Sequence, residues 1–299
     1  MALASFKPIL FLAELVVGGR KTNVAPQFCN LEMAVALKDK GTKMTINTMG
    51  DVTVANTNEA VAMTYVEPDT SSADLEITID KTVAVKLNDN DLVQIEANGG
   101  NVEKIVAERM NYKLQDEVDQ LVFGAHAQST TNNYETGTTP WQFSNPPTAA
   151  DLSAFGAAIH KDLDDNLVPQ AGRFLAMPNI GIQAFRAGFG RIETQMGDEI
   201  RRAGLVTQKL LGFDYLFQSA NVALADSVYH ALAGPMPSSD KGSGPGGAIA
   251  LAIQIAPTAE SLRLEGFWST GFRARVTAGV RFFKPAKVID VNLNSTLMS

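Results

Sequence analysis

Cysteine is almost absent. Cys29 is the one thiol in 299 residues, so no disulfide can form within the chain, and a lone small thiol is expected to be buried. Histidine is scarce too. His126, His160 and His230 lie far apart and share no metal-ligand spacing, so each is expected as a surface or hydrogen-bonded core side chain. No apolar run approaches the ~18 residues of a bilayer-spanning helix. Pro8 to Ala13, preceded by Lys7, resembles the apolar centre of a signal peptide. Glu14 interrupts it and no clean small-residue cleavage site follows, so the expectation is an intracellular protein with an apolar N-terminal arm. Positive charge is in deficit: 25 Lys and Arg face 32 Asp and Glu, a net charge of −7. The average surface is therefore not drawn to nucleic acid or to an anionic membrane. Charged residues make up only 19% against 45% hydrophobic, which argues for a folded core of one or two domains.

Catalytic and cofactor signatures are missing as well. There is no phosphate-binding G-x-x-x-x-G-K-[ST] loop, and Gly244-Pro245-Gly246-Gly247 lacks the lysine and hydroxyl that grip phosphate and Mg²⁺. There is no G-x-S-x-G nucleophile elbow. Asp162 to Asn166 begins like a calcium loop, but Leu167 and Arg173 stand where glycine and glutamate are needed. No catalytic, metal or cofactor set is expected.

What is present is alternation. Leu75, Ile77, Ile79, Val83, Val85 and Leu87 keep one parity, which predicts one strand of about 13 residues, or roughly 43 Å. That exceeds the ~5–6 residues usual in globular proteins, so part of it should project as an arm. Residues 55–74, rich in Asn, Thr and Ser with Pro68, read as the tip of an extended hairpin entered through Met44 to Ile46. Asn101 is a good N-cap for a helix in which Val102, Ile105, Val106, Met110, Leu114, Val118, Leu121 and Val122 share a face. Gly124 is expected to end it. Glu103, Lys104, Glu108, Arg109, Lys113, Asp116, Glu117 and Asp119 form its charged face.

Further on, helices are expected from Thr148 or Asp151 through Leu163 and near Ile180 to Phe185, with strands at Arg173–Met177, Gly212–Phe217 and Ala248–Ile255. Phe272 to Phe282 alternates with Arg273, Arg275, Thr277, Gly279 and Arg281, a half-buried strand with a basic outer face. Lys284 to Lys287 should turn it into a hairpin with Val288 to Leu293. The mixture is α+β. Arg201, Arg202, Arg273, Arg275, Arg281 and Lys284 are the candidates for intersubunit or DNA contact. No aromatic residues are interleaved with them, which weakens specific or single-strand recognition.

Four passages, taken in order, resemble the major capsid proteins of tailed bacteriophages, the Hong Kong 97-like fold. They are Gly41 to Ile46, Leu75 to Asp89, the helix from Val102 to Val122 with Tyr112, Leu114 and Asp119, and Gly271 to Val288. Gly212-Phe213 to Ser219-Ala220-Asn221 adds a recurrent strand pattern. The resemblance implies an N-terminal arm over 1–30, an extended loop over 47–74, a peripheral domain over 31–46, 75–124 and 248–299, and an axial domain over 125–247. It implies a non-enzymatic subunit that assembles with itself into pentamers and hexamers of an icosahedral shell around double-stranded DNA. The implied partners are a portal, a separate scaffold and decoration proteins, with no membrane, and the implied location is the virion after assembly in the bacterial cytoplasm. No lysine lies between Gly50 and Asp80, so the loop-lysine crosslink of some members is not expected. The chain leaves no room for a scaffolding extension before the arm, and Met1 speaks against N-terminal trimming. Two alternatives remain open at this point. One is an encapsulin-like nanocompartment shell, which shares the fold; the longer arm favours the viral version. The other is a soluble α/β enzyme, for whose polar pocket no motif is present.

Overall fold

The alternation from Leu75 to Leu87 holds, but two strands in different sheets carry it. The structure, a computed structural model, describes residues 23–32, 37, 41–49, 52, 54, 65–90, 93, 102–132, 148–189, 211–219, 229–238 and 246–293. Strand β1 (Lys43–Met49) pairs antiparallel with β2 (Thr70–Glu76), Lys43 opposite Glu76 and Met49 opposite Thr70. Strand β3 (Ile79–Asn88) belongs to a second sheet of order β3-β9-β8, with β8 spanning Ile249–Arg263 and β9 Ser269–Phe282. The expected single strand is therefore broken at Ile77-Thr78. There the chain crosses β9: Thr78 N–H donates to Ala278 O at 3.0 Å, and the Glu76–Ile77 backbone lies directly on Gly279. Parity survives because the break spans two residues. Leu75 is buried, and Ile79, Val83, Val85 and Leu87 are half-buried between exposed neighbours.

The crossing also corrects the basic face of β9. Arg273, Arg275 and Arg281 are exposed as alternation predicts, but Thr277 and Gly279 are buried. Strand β8 runs eight residues past Ile255, because only Pro257, Ala259 and Leu262 mark its half-buried side. Proline inside a polar run reads as a break, yet β8 is an edge strand, where proline is tolerated.

The helix from Val102 forms as its periodicity dictates. A short helical turn, α1 (Ala25–Phe28), precedes it, and α2 spans Val102–Gly124. Gly124 does not stop α2 in a left-handed conformation. Its φ is −65°, and the chain tightens into a 3-10 turn over Ala125–Gln128. Asp116 and Asp119, expected on the wet face, are buried. Asp119 accepts the backbone N–H groups of Val24 and Ala25, both at 3.0 Å, satisfying donors that begin α1. Val24, Ala25, Phe28, Cys29 and Asn30 are consequently core residues. Burial, reinforced by the Asp119 charge, pushes the Cys29 thiol well up and keeps it neutral.

A five-stranded sheet has the order β4-β10-β7-β5-β6. Its strands are β4 (Thr131–Asn132), β5 (Arg173–Pro178), β6 (Tyr215–Ser219), β7 (Tyr229–Pro235) and β10 (Ile289–Leu293). The expected terminal hairpin is absent. Lys284 to Lys287 leads through a 3-10 turn at Pro285–Lys287, and β10 pairs with β7 and β4 instead of β9. Helix α3 (Ala149–Asp165) starts at a capping box between Thr148 and Asp151, and α4 (Asn179–Phe189) follows β5. Leu152, Phe155, Ile159 and Leu163 of α3 join Ile182 and Phe185 of α4 against Leu175 and Met177. On the other parity of β5, Phe174 stacks on Phe28 at 4.8 Å, and Phe123 meets Phe28 edge-on at 6.2 Å. Each buried ring contributes about 2 kcal/mol of transfer free energy.

Of the described residues, those within 80–117 and 255–276 make one compact unit, and those within 22–79, 118–254 and 277–299 make the other. In the second, Arg173 is 1% exposed. Its Nε donates to Pro169 O (3.0 Å), its Nη2 to Val168 O (2.6 Å) and Asp164, and its Nη1 to His160 Nδ1 (2.8 Å). His160 Nε2–H donates to Leu211 O at 2.7 Å, which fixes the tautomer. Burial, with the Arg173 charge beside it, holds the His160 imidazole below its ordinary value. The unfolded chain then binds the proton more tightly. The linked stability is complete above about pH 6.5 and is lost as pH falls through the lowered folded value. Arg173→Met, which strands the two carbonyls, should cost about 3 kcal/mol in urea unfolding. It should also flatten the rise in stability as pH climbs toward about 6.5; an unchanged pH slope would show that Arg173 does not act on His160.

Candidate assembly surface

The base of the β1–β2 ribbon is anchored, and among the described residues its outer apolar side chains are exposed. Ile46 and Leu75 pack with Leu37, Ala250, Ala252 and Phe283. Lys43 Nζ lies 2.7 Å from Asp74, which also accepts from Thr45 Oγ1 at 2.7 Å. Those two hydrogen bonds hold the Asp74 carboxyl below its ordinary value, with the Arg281 charge adding to them. From the last pair, Met49 with Thr70, outward, the described apolar side chains meet water. Met49, Val52 and Val66 are each about two-thirds exposed, and Val54 and Tyr65 nearly wholly so. A ribbon whose outer end keeps apolar groups wet has surface that a second chain could cover.

A second exposed apolar tip lies in the other unit. Hairpin β8–β9 turns through Leu264 to Trp268, with Gly266 in the left-handed region at φ +78°. Phe267 is 60% and Trp268 83% exposed. Lys86 Nζ sits 3.8 Å above the Phe267 ring, and Arg263 lies 5.9 Å from the Trp268 ring. Below this tip, a groove of about 730 Å³ is lined by residues that include Val83, Ile255, Thr258, Glu260, Arg273 and Arg275.

The basic candidates divide. Arg273 bonds Glu260 at 3.1 Å, and Arg275 grips both oxygens of Asp80. That fork raises the Arg275 guanidinium further above its ordinary value. These two charges are balanced within the chain, as exposed pairs of small net effect. Arg281 is exposed on β9, and Lys284 is half-buried at the following turn. Arg201 and Arg202 fall outside the described residues, as do residues 1–22 and 55–64.

One buried polar cluster was not legible in the sequence. His126, His230 and Asp290 come from three separate segments and meet with their ligand atoms within 4.8 Å of one another. Burial pushes the Asp290 carboxyl up, but hydrogen bonds from His126 and His230 outweigh it and hold the group below its ordinary value. The sequence signal would have been a long-range pairing of β10 with β7, which no local pattern encodes.

Comparison with solved structures decides the architecture. A structure from Mycobacterium phage Che8 superposes with a TM-score of 0.74 at 21% identity, covering 99% of each chain. The capsid of the cyanophage P-SCSP1u gives 0.66 at 14% identity, covering 95% of this chain and 92% of that one. This is the Hong Kong 97-like fold. The capsid of Ralstonia phage GP4 matches it over 100% of both chains, with a TM-score of 0.60 and 13% identity. No protein-family model matches the sequence, and no curated protein does. The likeness therefore lives in the chain path: the Hong Kong 97-like fold is kept here by parity, spine helix and crossing rather than by residue identity. Among the described residues, no helix of this fold is long and apolar enough to cross a membrane.

Proposed function

We propose that this chain is a major capsid subunit that assembles with itself into hexamers and pentamers of an icosahedral shell enclosing double-stranded DNA. The observation that carries the reading is end-to-end similarity: the phage structures cover nearly the whole chain and are nearly wholly covered by it. The two exposed apolar tips support it, since heterologous contacts that close into rings need surface that is buried only in the ring. In this reading 1–30 is the arm, 47–74 the extended loop, and 125–247 the axial domain facing the capsomer centre. The remaining segments, 31–46, 75–124 and 248–299, form the peripheral domain. The net charge of −7 suits a wall that holds DNA without binding it tightly. Arg281, Lys284, Arg201 and Arg202 are then the residues to test for neighbour or DNA contact. A portal, a separate scaffold and decoration proteins are the further partners, and the subunit acts as structure, not as an enzyme. Its place is the virion, after assembly in the bacterial cytoplasm.

Negative-stain microscopy of the purified full-length chain tests this directly. Rings and closed shells are the expected result. Monomers and dimers alone at every concentration would overturn the reading.

A further inference from the structure

We infer that His126, His230 and Asp290 form a binding site for one divalent transition-metal ion of the zinc type. His126 lies in the 3-10 turn that ends α2, His230 on β7 and Asp290 on the adjacent strand β10. Asn292 is the residue opposite His230 in the β7–β10 register, so Asp290 reaches His230 diagonally along the pleat. The His126 Nδ1 lies 3.0 Å from Asp290 Oδ2, and His230 Nδ1 lies 3.0 and 3.1 Å from the two carboxylate oxygens. The two imidazoles stack with centroids 3.7 Å apart and planes 29° apart. Both rings thus direct the same nitrogen at one carboxylate.

Hydrogen bonding alone accounts for part of this arrangement and leaves a charge problem. The Asp290 and His230 side chains are only 3% and 2% exposed. With both rings neutral, the carboxylate keeps its charge between two uncharged donors. One protonated ring would balance it, but would lay a cation against the other imidazole stacked 3.7 Å away. A divalent ion resolves the charge with both rings neutral: each moves its proton to Nε2 and offers the Nδ1 lone pair. Two imidazole nitrogens and one carboxylate oxygen are a borderline donor set that suits zinc. With bonds of ~2.1 Å, a tetrahedral site needs ligand atoms about 3.4 Å apart. The triad must therefore open by a few tenths of an ångström. His126, 21% exposed, is the ligand nearest solvent and the one with most room to shift. Such an ion would tie the end of α2 to β10 across 164 residues and β7 to β10 across 60.

The test uses the full chain, stripped with a chelator and dialysed, then titrated with Zn²⁺ and in parallel with Co²⁺. Expected are one bound equivalent, a rise in Tm on the order of 5 °C at a hundredfold excess over Kd, and the visible absorption of tetrahedral Co²⁺. His126→Gln, at the exposed member, should abolish the cobalt band and the Tm shift while leaving the metal-free fold intact. Asp290→Asn is the stricter variant. No bound equivalent in the wild-type chain, or a cobalt band unchanged in His126→Gln, overturns the proposal. In the first case the triad is a proton-sharing hydrogen-bond network. Neither readout requires shell assembly.

Discussion

Replacing residues 50–69 with an Asn-Gly turn is expected to leave a folded subunit that closes no shell. The register shows why the cut belongs there. Met49 faces Thr70 in the last pair of the ribbon, so a two-residue type I′ turn can join them without shifting any pair below. Cutting at 55–74 instead, the tip read from loop chemistry in the sequence, would remove the first five residues of β2, Thr70 to Asp74. The retained ribbon keeps Ile46 and Leu75 in their cluster and Lys43 on Asp74, so Tm should move by no more than a few degrees. The lost segment carries Val52, Val54, Tyr65 and Val66, all exposed in the single chain. If a neighbour buries two of them, each contributing about 2 kcal/mol, each intersubunit contact weakens by ~10³. A shell multiplies that loss over every subunit. Microscopy and sedimentation should find monomers or small rings where the proposed function expects the wild type to close. Shells of normal yield would remove the ribbon from the assembly mechanism, whatever the rest of the fold does.

Much of this architecture can be read from periodicity, and the failures share one cause. Parity identified the buried side of 75–87, the inner face of α2 and the alternation of β9, because each depends on neighbours within a few residues. The same reasoning joined β2 to β3, since period 2 is blind to a sheet change that preserves phase. It put Asp119 in water, because the backbone donors it serves belong to Val24 and Ala25, 95 and 94 residues away. It drew β9 and β10 as a hairpin, because the partner of β10 is β7. It expected each histidine on the surface or in a hydrogen bond, which holds, but not that His126 and His230 would meet on one carboxylate, Asp290. The basic face was half legible: alternation exposed Arg273 and Arg275, but only the fold brings Glu260 and Asp80 to them. Glycine held the overlooked clue. A glycine inside a strand weakens it unless another backbone must come close, and Gly279 stands at the middle of the alternating run.

Gly279→Val should therefore be among the most damaging single changes in the chain, although valine favours strands. Gly279 is not among the left-handed glycines, so backbone strain does not enter and the whole effect is steric. A Cβ at this position would overlap the carbonyl oxygen of Glu76, sit 2.8 Å from its carbonyl carbon and 3.0 Å from Ile77 Cα. These are main-chain atoms, which cannot rotate away as a side chain would. Moving them breaks the Thr78–Ala278 hydrogen bond and drags on Leu75, which is fully buried. Overpacking against side chains costs about 1–3 kcal/mol. With a fixed backbone the cost should reach about 4 kcal/mol, enough to lose most soluble protein at 37 °C. Gly279→Ala, which shares the offending Cβ, should lose nearly as much. Gly266→Ala is the contrast. Its Cβ meets nothing within 4 Å, so only its positive φ is taxed, at about 1 kcal/mol. Urea unfolding of the three variants orders these expectations. If Gly279→Ala proves as mild as Gly266→Ala, the chain does not cross β9 at this point, and the ribbon and β3 are a single strand after all.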